Sequence, residues 1–286
     1  MVNAVPGTEQ VAPAGAGTRR TAAAAVDAAR AQGRAALVAY LPVGYPDVAG
    51  SVEAARALVD SGADVVELGL PYSDPTMDGP VIQRAVDAAL AARTRPADVL
   101  RAVEQVAATG AAVLVMTYWP PVDRYGVARF AADLASAGAA GLITPDLIPD
   151  EADAWIAASD AHDLERVFLV APSSTPARLR STAAACRGFV YAASTMGVTG
   201  ARASVGAGAR GLVERTRAAG AERVCVGLGV STGEQAAEVA GYADGVIVGS
   251  AFVRRLLEAP DHAAGVRAAA ALAAELAEGV RRGGPA

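Results

Sequence analysis

Short apolar runs of strand length recur along this chain, and a stretch with helical spacing of apolar positions follows each one. The pattern predicts strands over 36–40, 65–68, 112–116, 141–143, 167–170, 189–192, 224–226 and 246–248. Helices are predicted between them over 52–59, 81–92, 127–137, 151–158, 177–185, 211–219, 233–239 and 252–257. Further helical patterns cover 21–31, 96–107 and 263–277. The strand runs are apolar throughout, as in parallel strands buried on both faces. Capping residues stand where two of the helices should begin, at Pro149-Asp150-Glu151 and Ser231-Thr232-Gly233-Glu234.

Eight β/α units in a chain of this length imply an α/β fold of the (β/α)8, or TIM barrel, type, with an extra N-terminal helix and additional helices. The competing arrangement is a doubly wound open sheet. Its glycine fingerprint is missing after the first strand, where the chain reads Leu41-Pro42-Val43-Gly44-Tyr45-Pro46. Residues 18–282 are therefore expected to form one catalytic barrel, flanked by a disordered tail over 1–17 and a short C-terminal tail over 283–286. No apolar run approaches the ~18 residues that span a bilayer. Arg19-Arg20 followed by alanines faintly resembles an export signal, but Asp27 and Arg30 interrupt the apolar stretch behind it.

Composition narrows the chemistry. The 286 residues carry a formal charge of −5, which argues against nucleic acid or an anionic membrane as main partner. All 25 basic residues are arginine. Without lysine there is no Schiff-base aldolase, no lysine-anchored pyridoxal phosphate and no Walker phosphate loop. Two histidines (His162 and His262) and two cysteines (Cys186 and Cys225) make neither a metal cluster nor a disulfide framework, and point to a reducing cytoplasm. Both histidines fall away from the expected active face, and both cysteines read as small core residues.

Carboxylates are what remains. Active sites of such barrels lie at the carboxyl ends of the strands. Glu67 stands inside the run Val65-Val66-Glu67-Leu68-Gly69, where an unpaired charge is costly and its pKa would rise. A salt bridge to an arginine at the strand end would explain it equally well. Asp74 and Asp78 follow in the loop after the same strand, and each is also a good turn or cap residue. Gly227-Leu228-Gly229 and Gly249-Ser250 follow the seventh and eighth strands, the usual phosphate site of this fold, and Gly197-Val198-Thr199-Gly200 follows the sixth. A phosphorylated small molecule is the expected substrate.

The segment Val66-Glu67-Leu68-Gly69-Leu70-Pro71-Tyr72-Ser73-Asp74-Pro75, continued by Asp78-Gly79-Pro80-Val81-Ile82-Gln83, resembles the signature of the tryptophan synthase α subunit family. Gly44-Tyr45-Pro46-Asp47, Met116-Thr117-Tyr118-Trp119, Arg124-Tyr125-Gly126, Pro145-Asp146-Leu147-Ile148-Pro149, the stretch over 191–200, Gly227-Leu228-Gly229-Val230 and Val248-Gly249-Ser250-Ala251 match in order. The resemblance implies a carbon–carbon lyase that cleaves indole-3-glycerol phosphate to indole and glyceraldehyde 3-phosphate without metal or Schiff base. It implies Glu67 as the acid/base and Asp78 as acceptor of the indole N–H. Tyr40, Val115, Tyr191, Thr199 and Leu228 would contact substrate, while Gly200, Gly229, Gly249 and Ser250 would hold its phosphate. Segments 72–79 and 194–208 would be closing loops.

The resemblance also implies a pyridoxal-phosphate β subunit in an α2β2 heterotetramer, with no cofactor in this chain. Asp74, Pro75, Trp119 and Pro120 would contact that partner. Pro120 stands where the family usually has asparagine and Thr76 where leucine is usual, so engagement of the partner is the point of departure. The alternatives are a stand-alone lyase releasing free indole, a weakly active subunit that mainly activates a β partner, and another phosphate-binding barrel enzyme such as an epimerase, whose metal-binding histidines are missing.

Overall fold

The computed structural model describes residues 19–193, 207–227 and 229–284. Among them are nine strands: β1 (Ala36–Pro42), β2 (Val65–Gly69), β3 (Ala112–Met116), β4 (Gly141–Ile143), β5 (Glu165–Val167), β6 (Leu169–Val170), β7 (Val190–Ala193), β8 (Val224–Gly227) and β9 (Gly245–Val248). All pair in parallel in the order β5-β4-β3-β2-β1-β9-β8-β7-β6. Only Phe168 separates β5 from β6, so the two ends of this order are one continuous piece of chain. The sheet closes on itself as a (β/α)8 barrel.

Twelve α-helices surround it among the described residues: α1 (Ala22–Ala31), α2 (Val48–Asp60), α3 (Pro80–Ala91), α4 (Pro96–Ala107), α5 (Trp119–Tyr125), α6 (Val127–Ser136), α7 (Asp153–Ala161), α8 (Pro176–Ala185), α9 (Ala207–Ala218), α10 (Gly233–Ala240), α11 (Ser250–Glu258) and α12 (His262–Arg282). Two helices differ from expectation. Pro149–Glu151 forms a separate 3-10 turn before α7, and α5 was not anticipated. Its prolines, Pro120 and Pro121, occupy the first turn, where a helix has no internal acceptor for an N–H, so they leave no bond unmade.

Two cores follow from the period of two along each strand. Leu37, Val66, Leu68, Val113, Val115, Leu142, Val226, Val246 and Val248 point outward and pack under the helices. Ala36, Val38, Val65, Ala112, Leu114, Ile143, Val167, Phe189, Cys225 and Ile247 fill the barrel interior. Helix α1 closes the interior from below with Ala22, Ala25, Val26 and Ala29. Thr21 caps α1 by accepting from the Ala24 N–H, and the Glu165 carboxylate accepts from the N–H groups of Ala22 and Ala23 at 2.7 and 2.9 Å.

Strand β5 begins at Glu165, two residues before the apolar run, because both charged residues there are satisfied locally. Glu165 holds α1, and the Arg166 guanidinium donates to Ser159 Oγ, Asp160 Oδ1 and the Ala185 carbonyl. The expected tails fall largely outside the described residues. No described helix is long and apolar enough to cross a membrane.

Candidate active site

Glu67 is the centre of the upper barrel. It lies in β2 in register with Tyr40 of β1 on one side and Leu114 of β3 on the other, so all three point inward. Its side chain is fully buried, and among the described residues neither carboxyl oxygen has a hydrogen-bond partner. The salt bridge that would have made it a structural residue is absent from the described contacts. Burial alone pushes its pKa from the ordinary 4.5 to about 8. At neutral pH this carboxyl carries a proton, which lets it donate first and accept afterwards.

Asp78 is brought to the same mouth by the loop leaving β2. It is not the cap of α3, a place taken by Gly79 with Pro80 as first helical residue. Its backbone carbonyl accepts from Gln83 Nε2 at 2.6 Å, and its Oδ1 accepts from the Tyr118 hydroxyl at 3.3 Å. Burial raises its pKa above the ordinary aspartate range, and the bond from Tyr118 opposes that rise. Two carboxyl groups thus differ in setting: one deeply desolvated and without a hydrogen-bond partner among the described residues, the other at the rim and hydrogen-bonded.

Two tyrosines flank Glu67. Tyr40 and Tyr191 are both pushed up by burial, with the charges of Glu67 and Asp78 adding to the effect, and their hydroxyls stay protonated. Each is accommodated by a glycine on a neighbouring strand. A Cβ on Gly69 would stand 2.5 Å from the Tyr40 hydroxyl, and one on Gly227 would collide with the hydroxyl of Tyr191. Gly249 is open to Tyr40 in the same way, with Tyr40 Cδ1 3.0 Å from its absent Cβ.

Val115 does not join this group. It packs in the outer core against the helices, and its neighbours Leu114 and Met116 are the β3 residues that border the interior. A continuous apolar run does not reveal which alternate positions face inward; the register with Glu67 does.

Gly229 has φ of +72°, a left-handed conformation that favours glycine. Gly249 is the N-cap of α11 and Ser250 its first residue, buried at the strand end. The Phe252 and Val253 N–H groups donate to the Gly249 carbonyl, while those of Ser250 and Ala251 have no acceptor inside the helix and suit an anion. Thr199, Gly200 and Leu228 lie outside the described residues, as does most of the 194–208 segment.

The outer rim carries the remaining candidates. Asp74 is exposed and accepts from Ser73 Oγ at 2.5 Å; Pro75 is half-buried beside it. Trp119 and the exposed Pro120 open α5, and the Trp119 N–H donates to both Asp146 carboxylate oxygens at 2.9 and 3.0 Å. Tyr118, between Met116 and α5, is the residue whose contacts its motif did not announce. Nothing in the sequence tells that its hydroxyl crosses to the loop after β2.

Other titratable groups lie elsewhere. His262 pairs with Glu53 on the outer helices, and His162 ends α7 at the opposite face of the barrel. A cleft of about 480 Å3 at that lower face is lined by Glu165, Cys186, Arg187 and Arg223 among others. Its charges are engaged: Glu165 with α1, Arg187 with Asp160 and Asp163, and Arg223 with Asp27.

Comparison with known proteins matches the chain to one family and its fold. The family model described as tryptophan synthase alpha chain matches residues 26–281. The tryptophan synthase alpha chain of Thermobifida fusca is 63% identical over 256 residues, covering 88% of this chain and 95% of the relative. That of Streptomyces coelicolor is 62% identical over 255 residues, covering 89% and 94%. Among solved structures, Mycobacterium tuberculosis tryptophan synthase superposes with a TM-score of 0.86 at 58% identity, covering 91% of this chain and 98% of that one. Tryptophan synthase subunit alpha of Legionella pneumophila superposes with a TM-score of 0.82 at 34% identity, covering 90% and 96%.

Proposed function

The chain belongs to the tryptophan synthase alpha chain family, and from that premise we propose that its upper barrel cleaves indole-3-glycerol phosphate with Glu67 and Asp78 as the working groups. The observation that carries this is Glu67 itself, a buried carboxyl with no described hydrogen-bond partner, held protonated at neutral pH. Such a group is costly to keep in a barrel unless substrate uses it.

Protonated Glu67 gives its proton to the indole ring carbon that carries the glycerol chain. Positive charge then develops on the ring nitrogen, whose N–H donates to the Asp78 carboxylate. The bond between ring and glycerol carbon breaks, its electrons restore the indole ring, and the adjacent glycerol hydroxyl becomes the aldehyde of glyceraldehyde 3-phosphate. Glu67, now a carboxylate, takes the proton released from that hydroxyl and returns to its starting state. One proton enters the ring and one leaves the hydroxyl, so the carboxyl is regenerated in each turnover.

Tyr40, Tyr191 and Met116 border the space for the ring, with Thr199 and Leu228 expected beside them. Gly229, Gly249, Ser250 and Gly200 would hold the phosphate, and the Ser250 and Ala251 N–H groups at the start of α11 support this reading. The reaction needs no cofactor of its own. We further propose a cytoplasmic α2β2 assembly in which indole passes to a pyridoxal-phosphate β subunit that contacts Asp74, Pro75, Trp119 and Pro120.

The test is release of indole from indole-3-glycerol phosphate by the purified chain, with and without a β subunit. Absence of indole under both conditions overturns the reaction. Stimulation by the partner supports the assembly, and equal rates with and without it count against it.

A further inference from the structure

The loop between β2 and α3 is largely exposed at Ser73, Asp74 and Thr76, yet Asp78 near its end must present a carboxylate in a fixed direction. Two contacts meet this need, one on the main chain and one on the side chain. The first is Gln83 Nε2 on the Asp78 carbonyl. The second comes from another β/α unit: the Tyr118 hydroxyl at the start of α5, 3.3 Å from Asp78 Oδ1.

We infer that Tyr118 is a positioning residue of the lyase site, its hydroxyl orienting the Asp78 carboxylate toward the substrate ring. This rests on the proposed role of Asp78. The direction of the bond follows from what else the hydroxyl touches. The Met77 N–H donates to Tyr118 Oη at 3.0 Å, and an N–H can only donate. The Thr76 side chain lies beside the same oxygen. With a lone pair engaged by the Met77 N–H, the hydroxyl has its single proton available for Asp78.

The ring is equally constrained. It is buried, and lies 5.5 Å from Tyr72 centroid to centroid at a 35° tilt. Tyr118 therefore touches Tyr72, Thr76, Met77 and Asp78, both ends of the same loop. At 3.3 Å the bond to Asp78 is longer than the optimum for O–H···O, the length typical of a site bond that tightens when substrate closes the pocket. A bond to the ionised form also favours that form, and Asp78 must be ionised to accept the ring N–H. Among the described residues, the other titratable groups that face Asp78 are Tyr40 and Tyr191, which also face Glu67, and no test substitution alters these.

The experiment is a double-mutant cycle on indole release by the full chain. Tyr118→Phe keeps the ring and removes the hydroxyl. It should lower kcat/KM about tenfold, as expected for one lost hydrogen bond to a charged group, and move the acid limb of the pH profile upward. In an Asp78→Asn background the same change should cost less than about twofold, because the bond's partner is already altered. Replacing Tyr118 with 3-fluorotyrosine makes the phenol a better donor without altering its packing, and should move the acid limb downward. An unchanged acid limb in both variants, or losses that multiply in the double variant, overturns the inference while leaving Asp78 in place. Full activity of Asp78→Asn alone overturns the role of Asp78, and this inference with it.

Discussion

The hydroxyl of Tyr40 lies over Gly69, 2.5 Å from the point where a Cβ would stand, and the same ring borders Gly249. Glycine at these positions is therefore space already occupied by a tyrosine beside Glu67. Gly69→Ala should destabilise the chain by about 1–3 kcal/mol through overpacking and lower kcat/KM for indole release as Tyr40 is displaced. Urea unfolding and steady-state kinetics on the same preparation check both. Wild-type values in each would show that the ring is not held in this position.

Glu67→Gln tests chemistry and stability in opposite directions. Activity should fall by about 10²–10⁴-fold, the usual worth of a positioned general acid–base. Stability at neutral pH should rise, because the wild-type carboxyl must take up a proton on folding and the amide need not. The sign follows from proton binding: with a folded pKa of about 8 against an ordinary 4.5, the native state holds a proton that the unfolded chain has lost. The wild-type chain therefore loses stability as pH rises between these values, and the gap to Glu67→Gln widens over that window. Chemical denaturation at pH 5 and pH 8 measures it. For activity, kcat/KM of wild type should decline as pH passes about 8.

Much of this could be read before the fold was seen, for identifiable reasons. The β/α alternation was legible because the strand runs are mainly apolar and a helical pattern follows each of them. Glu67 and Asp78 stood out because a carboxylate in an apolar run and an acid-rich loop share one strand. Val115 was misplaced because a strand buried on both faces lacks the alternation that marks inside from outside; only its pairing, with Leu114 opposite Glu67, settles the parity. Helix α5 was missed because Trp119-Pro120-Pro121 reads as a breaker unless its prolines are known to sit in the first turn. The reach of Tyr118 to Asp78 joins two loops separated by 40 positions, a distance no local pattern spans.

At the opposite end of the barrel, Glu165→Ala should lower stability by about 1–3 kcal/mol, because its carboxylate accepts from two N–H groups of α1 that no other described residue serves. Indole release measured well below the unfolding temperature should be unchanged. A loss of activity without a loss of stability would contradict a purely structural role.

Asp146→Ala bears on the partner. Its carboxylate grips the Trp119 N–H at the head of α5, at the proposed contact with a β subunit. The substitution should reduce stimulation by that subunit several-fold while leaving the rate of the isolated chain within about twofold, the effect of one charged hydrogen bond on a surface helix. Indole release titrated with the β subunit separates the two effects. Unaltered stimulation would remove this helix from the interface.

Joining β5 to β6 through Phe168 leaves the sheet without a margin on which another chain could add a strand. Any companion must approach through helices or through the loops above the strand ends. On the upper side those loops are the ones that hold Asp78 and, through Tyr118, connect it to α5. In a closed barrel of this kind, the proposed docking contacts and the proposed catalytic groups draw on the same loops, because the architecture offers docking no edge of its own.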